Sequence, residues 1–171
     1  MIWLFILKCL YFFLPAYFAN MAPVLFRWIP FNQPINEKQF GKNKTWRGLI
    51  VAVLIGGLVF YLQKIAYAQG FTQWALIDYN GFSVLFGFLL GLGAILGDVM
   101  KSYYKRKANI APGESWKVWD QLDFVIGGII FSFFIYVPPV SVVLVLVILS
   151  PLLHILINHL AYWLKIRKKK W

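Results

Sequence analysis

Asp98, Glu114, Asp120 and Asp123 are four of only six acidic residues in the chain, and they sit between two oily segments among Lys101, Lys105, Arg106, Lys107, Lys117, Ser102 and Ser115. Carboxylates beside a bilayer are costly unless they are paired, hydrated or bound to metal. Their concentration among cations suggests a site for a metal and a polyphosphate. If the helix before them continues past the bilayer edge, Asp98, Lys101, Ser102 and Lys105 recur at i, i+3, i+4 and i+7 and share one face. Asp120 and Asp123 are likewise three apart, at the start of the next apolar run, and can converge on one point. A hard cation such as Mg²⁺ takes carboxylate oxygens and completes its octahedron with phosphates and water. The neighbouring lysines and Arg106 suit a triphosphate, because they offset charge that metal leaves and stabilise a departing pyrophosphate. The same residues also read as plain ion pairs, Asp98 with Lys101 and Asp120 with Lys117, and Asp120 as an acid that starts a helix.

A second polar stretch, Gly41-Lys42-Asn43-Lys44-Thr45-Trp46-Arg47-Gly48, precedes another apolar run. Glycine permits close backbone approach, and Lys44, Thr45 and Arg47 can donate to phosphate oxygens. It is not a P-loop, since the G-x-x-x-x-G-K-[ST] spacing is missing. A snorkelling basic helix end explains it equally well. Within the apolar runs, Asn20 stands alone, while His154 and Asn158 lie four apart on one helix face and His159 points elsewhere. Residues of this kind mostly hydrogen-bond between helices.

These side chains must be positioned by membrane helices. The chain is 61% hydrophobic and 13% charged, where a soluble domain carries about 25% charged residues. The apolar runs are long enough for a hydrocarbon core of roughly 30 Å. They lack the period-two alternation of barrel strands, so the expected fold class is all-α, an integral membrane bundle. Five spans are expected, at about 2–26, 46–66, 82–103, 122–138 and 139–164, the last two joined by a tight turn at Pro138-Pro139. The whole chain, 1–171, reads as a single domain. Cys9 is the sole cysteine, which excludes a disulfide framework or a zinc cluster and suits a buried structural thiol. The first run lacks a basic n-region and continues to about Phe26, so it reads as a retained helix instead of a signal peptide.

Five spans place 15 of the 17 Lys and Arg residues on one side, leaving Lys8 and Lys64 near the other. The positive-inside rule then puts the N-terminus outside, and the C-terminus and two polar loops, about 27–45 and 104–121, in the cytoplasm. The expected location is the cell membrane, multi-pass, with the site facing the cytoplasm. The formal net charge of +11 suits orientation and attraction to anionic headgroups, as in Lys168-Lys169-Lys170, and not nucleic acid, because it is split between short loops. Gly87 and Gly91 have the small-x-x-x-small spacing of close helix packing, within one copy or between two, so monomer and homodimer both stand.

The segments Asn20-Met21-Ala22-Pro23-Val24, Lys44-Thr45-Trp46-Arg47-Gly48, Gly97-Asp98 through Lys105-Arg106, and Pro112-Gly113-Glu114-Ser115-Trp116 through Asp120-Gln121-Leu122-Asp123, with His154, Asn158 and a closing aromatic, resemble the CDP-archaeol synthase family. That family is a compact, five-span relative of CDP-diacylglycerol synthase in the CTP-transferase superfamily. The resemblance implies transfer of CMP from CTP to a membrane lipid phosphate, giving a CDP-lipid and pyrophosphate with Mg²⁺. It implies Asp98, Asp120 and Asp123 as metal ligands, with Lys101 and Lys105 beside them in catalysis. Ser102, Arg106, Ser115 and Lys117 would contact the triphosphate or lipid phosphate, and Lys44, Thr45 and Arg47 would close the site from the first loop. The acceptor stays open between an ether-linked digeranylgeranylglycerol phosphate and an ester-linked phosphatidate.

Other functions fit less well. An anion transporter would gather its polar residues at the midplane and not at one edge. A non-enzymatic lipid-binding scaffold leaves Asp98, Asp120 and Asp123 without a purpose. A CDP-alcohol phosphatidyltransferase would carry a D-G-x-x-A-R segment, which is absent.

Overall fold

A computed structural model describes residues 2–111, 114, 116 and 118–165. Seven helices follow one another: α1 (Ile2–Phe12), α2 (Leu14–Leu25), α3 (Glu37–Phe40), α4 (Trp46–Ala68), α5 (Leu85–Lys107), α6 (Trp119–Ser132) and α7 (Val140–Trp163). The architecture is all-helical, as expected. Helices α4, α5 and α7 are each long and apolar enough to cross a membrane, and α1 with α2 makes a fourth such element if the bent pair counts as one span.

Two elements differ from the expected spans. The first is broken: α1 and α2 meet at 50°, with Pro15 in the first turn of α2, where its missing N–H costs nothing. The fourth is short: α6 has 14 residues and ends at Ser132, about 21 Å at the helical rise of roughly 1.5 Å per residue. Residues 133–138 are equally apolar but not helical. The Ser132 carbonyl accepts from the N–H groups of Ile135 and Tyr136 in a tight turn, and the following prolines cannot rejoin a helix.

Helix α5 is central, packing on α4 along one side and on α6 along the other. Both seams are built from glycine. A Cβ at Gly56 would lie 2.6 Å from the Gly87 carbonyl oxygen and 2.8 Å from the Gly91 Cα. The small-x-x-x-small pair therefore works within one chain, on the α4 seam. On the other seam, a Cβ at Gly97 would overlap the carbonyl of Asp123, and one at Gly127 the carbonyl of Gly93. Backbone thus lies on backbone where Asp98 and Asp123 leave their helices. The remaining core is aromatic, with Phe12, Phe13, Phe60, Tyr79, Phe86 and Phe124 all essentially without solvent contact.

Candidate functional site

Helix α5 does continue past its apolar run, to Lys107, and so carries Asp98, Lys101, Ser102 and Lys105 on one face. The first turn of α6 brings Asp120 and, one turn on, Asp123 against that face. The focus of the three carboxylates is the ammonium of Lys101. Its Nζ lies 3.0 Å from Asp98 Oδ1, 3.1 Å from Asp120 Oδ1 and 2.6 Å from Asp123 Oδ2. The Asp98 contact is an aligned hydrogen bond. Asp123 Oδ2 is buried and makes no aligned hydrogen bond, so its contact with Lys101 is an ion pair. The other Asp123 oxygen, Oδ1, accepts from the backbone N–H of Phe124 at 2.6 Å.

Two further lysines complete the cluster. Lys44, at the end of the first polar loop, pairs with Asp98 Oδ2. Lys105 donates to the Glu114 carbonyl at 2.5 Å and reaches both Asp120 oxygens at 3.3 Å. It thereby ties the second polar loop to α5. Asp120 Oδ2 also accepts from the backbone N–H of Trp116 at 2.7 Å. Burial opposes ionisation of Asp120, but the charge of Lys101, the Trp116 N–H and Lys105 outweigh it and hold this carboxyl below the usual carboxylate range. Its stabilising contribution is therefore present above the ordinary carboxylate pKa, and lost as pH falls through the depressed value.

The first loop is held by local signals that the sequence carries. Thr45 Oγ1 caps α4 by accepting from the Gly48 N–H at 3.1 Å. The loop folds back through Ile35 N–H to the Lys44 carbonyl at 2.8 Å, and Phe40 of α3 meets the Tyr103 ring of α5 with centroids 6.3 Å apart. Together these place Lys44 over Asp98.

Arg47 departs from expectation. Its Nη1 donates to the carbonyls of Arg27 at 2.8 Å and Ile29 at 2.7 Å, so the guanidinium secures the chain leaving α2 instead of facing the cluster. Those carbonyls lie in the turns that follow α2, and a five-donor guanidinium is the natural group to satisfy them. Ser102 lines the site, but its hydroxyl donates to the Asp98 carbonyl at 2.9 Å. Arg106 and Thr45 also line it. Ser115 and Lys117 lie outside the described residues.

All of this opens into one cavity of about 1030 Å³. Lys44, Asp98, Lys101, Lys105, Arg106, Asp120 and Asp123 line it. The same lining is apolar elsewhere, with Phe18, Val24 and Leu25 of α2 and Leu153, Ile157 and Leu160 of α7. Among the described residues, the α2 and α7 backbones stand apart here and are bridged by the side chains of Tyr17 and Ser150. Asn20, His154 and Asn158, polar residues inside the spans, also line the cavity, and His154 Nε2 lies 3.4 Å from Asn158 Nδ2. His159 instead contacts the Ile155 carbonyl at 2.8 Å.

A family model for CarS-like CDP-archaeol synthases matches residues 1–171. The chain belongs to that family. Curated CDP-archaeol synthases similar to it include those of Pyrococcus furiosus, 35% identical over 97% of this chain and 98% of the relative, and Methanoregula boonei, 38% identical over 82% and 86%. Another, from Methanopyrus kandleri, is 35% identical over 99% and 95%. Among solved structures, an intramembrane enzyme for archaeal membrane lipids biosynthesis aligns with a TM-score of 0.73 and 25% identity, covering 90% of this chain and 94% of its own.

For a CDP-archaeol synthase family member, two features of the site were not foreseen. Gln121 is almost fully buried and lines the cavity beside the aspartates. Its place inside the Asp120–Asp123 motif was the available signal. Tyr17 and Ser150 share a hydrogen bond of 2.6 Å across the bundle, between α2 and α7. Nothing in the local sequence of either residue announces a partner 133 positions away.

The donor set fits a hard divalent cation in kind, since three carboxylates meet at one point. In spacing it is set for an ammonium. Oxygens 2.6 to 3.1 Å from Lys101 Nζ are wider than the roughly 2.1 Å that Mg²⁺ requires. Among the described residues, no group of three His, Cys, Asp or Glu side chains stands in metal-holding proximity.

Proposed function

We propose that this chain is a membrane-embedded cytidylyltransferase that transfers CMP from CTP to a lipid phosphate, giving a CDP-lipid and pyrophosphate. The observation that carries this reading is a single cavity lined both by a lysine–carboxylate cluster and by apolar side chains of α2 and α7, in a chain of the CDP-archaeol synthase family. A lipid phosphate and a nucleotide triphosphate each find matching chemistry in that lining.

In this reading an oxygen of the lipid phosphate forms a bond to the α-phosphorus of CTP. The bond from that phosphorus to the β-phosphate bridging oxygen breaks, and pyrophosphate leaves with its electron pair. The nucleophile is already ionised, so no general base is needed and rate comes from alignment and charge neutralisation. Lys44 from the first loop and Lys101, Lys105 and Arg106 from α5 would hold the phosphates and take up charge on the leaving pyrophosphate. Ser102, Thr45, Ser115 and Lys117 are assigned to the same phosphates. Asp98, Asp120 and Asp123 would hold Mg²⁺, which supplies further neutralisation of the triphosphate. Arg47 is assigned to holding the first loop.

The reading includes a topology. The chain forms one domain, 1–171, with five spans, the fourth completed by the non-helical residues 133–138 beyond α6. The N-terminus lies outside, and loops 27–45 and 104–121 face the cytoplasm, where CTP is available. The acceptor is an ether or ester lipid phosphate of the cell membrane.

Purified protein, supplied with radiolabelled CTP, Mg²⁺ and either digeranylgeranylglycerol phosphate or phosphatidate, should move label into lipid and lose that activity with EDTA. Asp98→Asn should lower the rate about 10³-fold. Absence of transfer to every lipid phosphate would refute the reaction, and wild-type rates in Asp98→Asn would refute the metal assignment.

A further inference from the structure

Every lysine in the cluster already has an aspartate. Lys44 is paired with Asp98, Lys105 with Asp120, and Lys101 with all three carboxylates. An incoming triphosphate therefore meets lysines in use, and an incoming metal meets carboxylates in use. We propose that Lys101 is an internal counter-cation that keeps divalent metal out of the Asp98–Asp120–Asp123 site until a triphosphate arrives, so that metal and nucleotide bind together. This rests on reading the site as one for a nucleotide triphosphate.

The argument is one of exchange. An ammonium has three donors and no acceptor, and Lys101 directs its charge at three carboxylates from a position only 14% exposed. A divalent cation cannot join it there, because two positive centres about 3 Å apart repel strongly away from water. For metal to bind, Lys101 must leave, and a buried lysine leaves only for another anion. The triphosphate is that anion. Conversely, a triphosphate alone would face three carboxylates stripped of their counter-charge. Each ligand removes the obstacle to the other, and such coupling is reciprocal by thermodynamic necessity, typically about 5- to 150-fold. Two details favour exchange over a fixed lattice. Asp123 Oδ2 is buried without an aligned hydrogen bond, so its lone pairs are held by charge alone. The α5 backbone beneath Lys101 is pinned against α6 by the Gly97–Asp123 contact, so the flexible side chain is the part free to move.

The test uses full-length protein in detergent and follows bound Mn²⁺ by electron paramagnetic resonance. Wild type should bind Mn²⁺ alone at least about tenfold more weakly than Lys101→Met, and the α,β-methylene analogue of CTP should raise wild-type Mn²⁺ affinity by a similar factor. In Lys101→Met the analogue should add much less. Mn²⁺ alone should also raise the melting temperature of Lys101→Met more than that of wild type. Equal Mn²⁺ affinity in wild type with and without the analogue would overturn the proposal, and so would equal affinity in wild type and Lys101→Met. If Lys101→Met does not fold, Lys101→Gln takes its place, and its contrast with wild type decides. Failure of CMP transfer with the coupling intact would sink the reaction and leave the counter-cation standing. Intact transfer with metal binding indifferent to nucleotide would do the reverse.

Discussion

Two lysines at opposite ends of the α4–α5 hairpin are each enclosed by three oxygens, and the oxygens differ in kind. Lys64, near the end of α4, donates to the backbone carbonyls of Tyr79 at 2.8 Å, Asn80 at 3.3 Å and Phe82. Lys101, near the end of α5, is held by Asp98, Asp120 and Asp123. Carbonyls of a tight turn are neutral and fixed by the chain, so the Lys64 cage is a permanent fastening. It holds the 3₁₀ turn Tyr79–Gly81 and seats the Tyr79 ring against Tyr11, Phe60 and Tyr67 at centroid distances of 5.8, 5.4 and 5.8 Å. Carboxylates are charged and sit on rotatable side chains, so the Lys101 cage can trade partners with a phosphate and a cation. The same ammonium group is structural at one end and exchangeable at the other because of what accepts its protons.

That contrast can be broken first at the charged end. Gly97→Ala places a Cβ against the Asp123 carbonyl, and backbone cannot yield as a side chain would. The helices must part, at a cost of about 3 kcal/mol. Displacing the carboxylates by even 1 Å should lower CMP transfer roughly 100-fold, read as label in lipid beside the melting temperature. Lys64→Met is the matching cut at the other end. Three carbonyls lose a charged donor, which should cost about 2 kcal/mol of stability, while transfer per folded molecule stays within about twofold of wild type. A large loss of transfer in Lys64→Met at full folding would erase the distinction between the two cages. The smallest effect is expected midway between them, from Tyr17→Phe. It removes the 2.6 Å bond to Ser150 and leaves a buried hydroxyl with one partner fewer, for about 1 kcal/mol. A melting temperature unchanged by Tyr17→Phe would mean the pair contributes nothing to joining α2 and α7.

The sequence was most informative where chemistry follows helical periodicity. Asp98, Lys101, Ser102 and Lys105 share a face because α5 runs unbroken to Lys107, and the three-residue step from Asp120 to Asp123 needs only that α6 begin at Trp119. Scarcity helped too, since four of six acids in one stretch demand an explanation in an apolar chain. The contacts of Arg47 were not legible, because its partners, the carbonyls of Arg27 and Ile29, become neighbours only after α2 and α4 pack. A sequence shows a basic residue near a phosphate-binding stretch and not which carbonyl lies behind it. The end of α6 was overextended for a different reason. Hydropathy is blind to backbone conformation, so Phe133 to Val137 look like more helix although the chain has already turned at Ser132. The role of Lys101 was visible in outline as a cation beside carboxylates. That it stands at the centre of all three was not, because the distance between α5 and α6 is set by Gly93, Gly97 and Gly127, residues with no side chain to advertise their function.

Those glycines also act as a register lock. Were α5 to slide along α6 by one turn, Lys101 would take the place that Gly97 holds, or in the other direction Leu89 that of Gly93, and a Cβ would strike the α6 backbone. Piston motion between these two helices is thereby forbidden. The depth of the three aspartates relative to one another is fixed by steric exclusion, whatever ion or ammonium happens to sit among them.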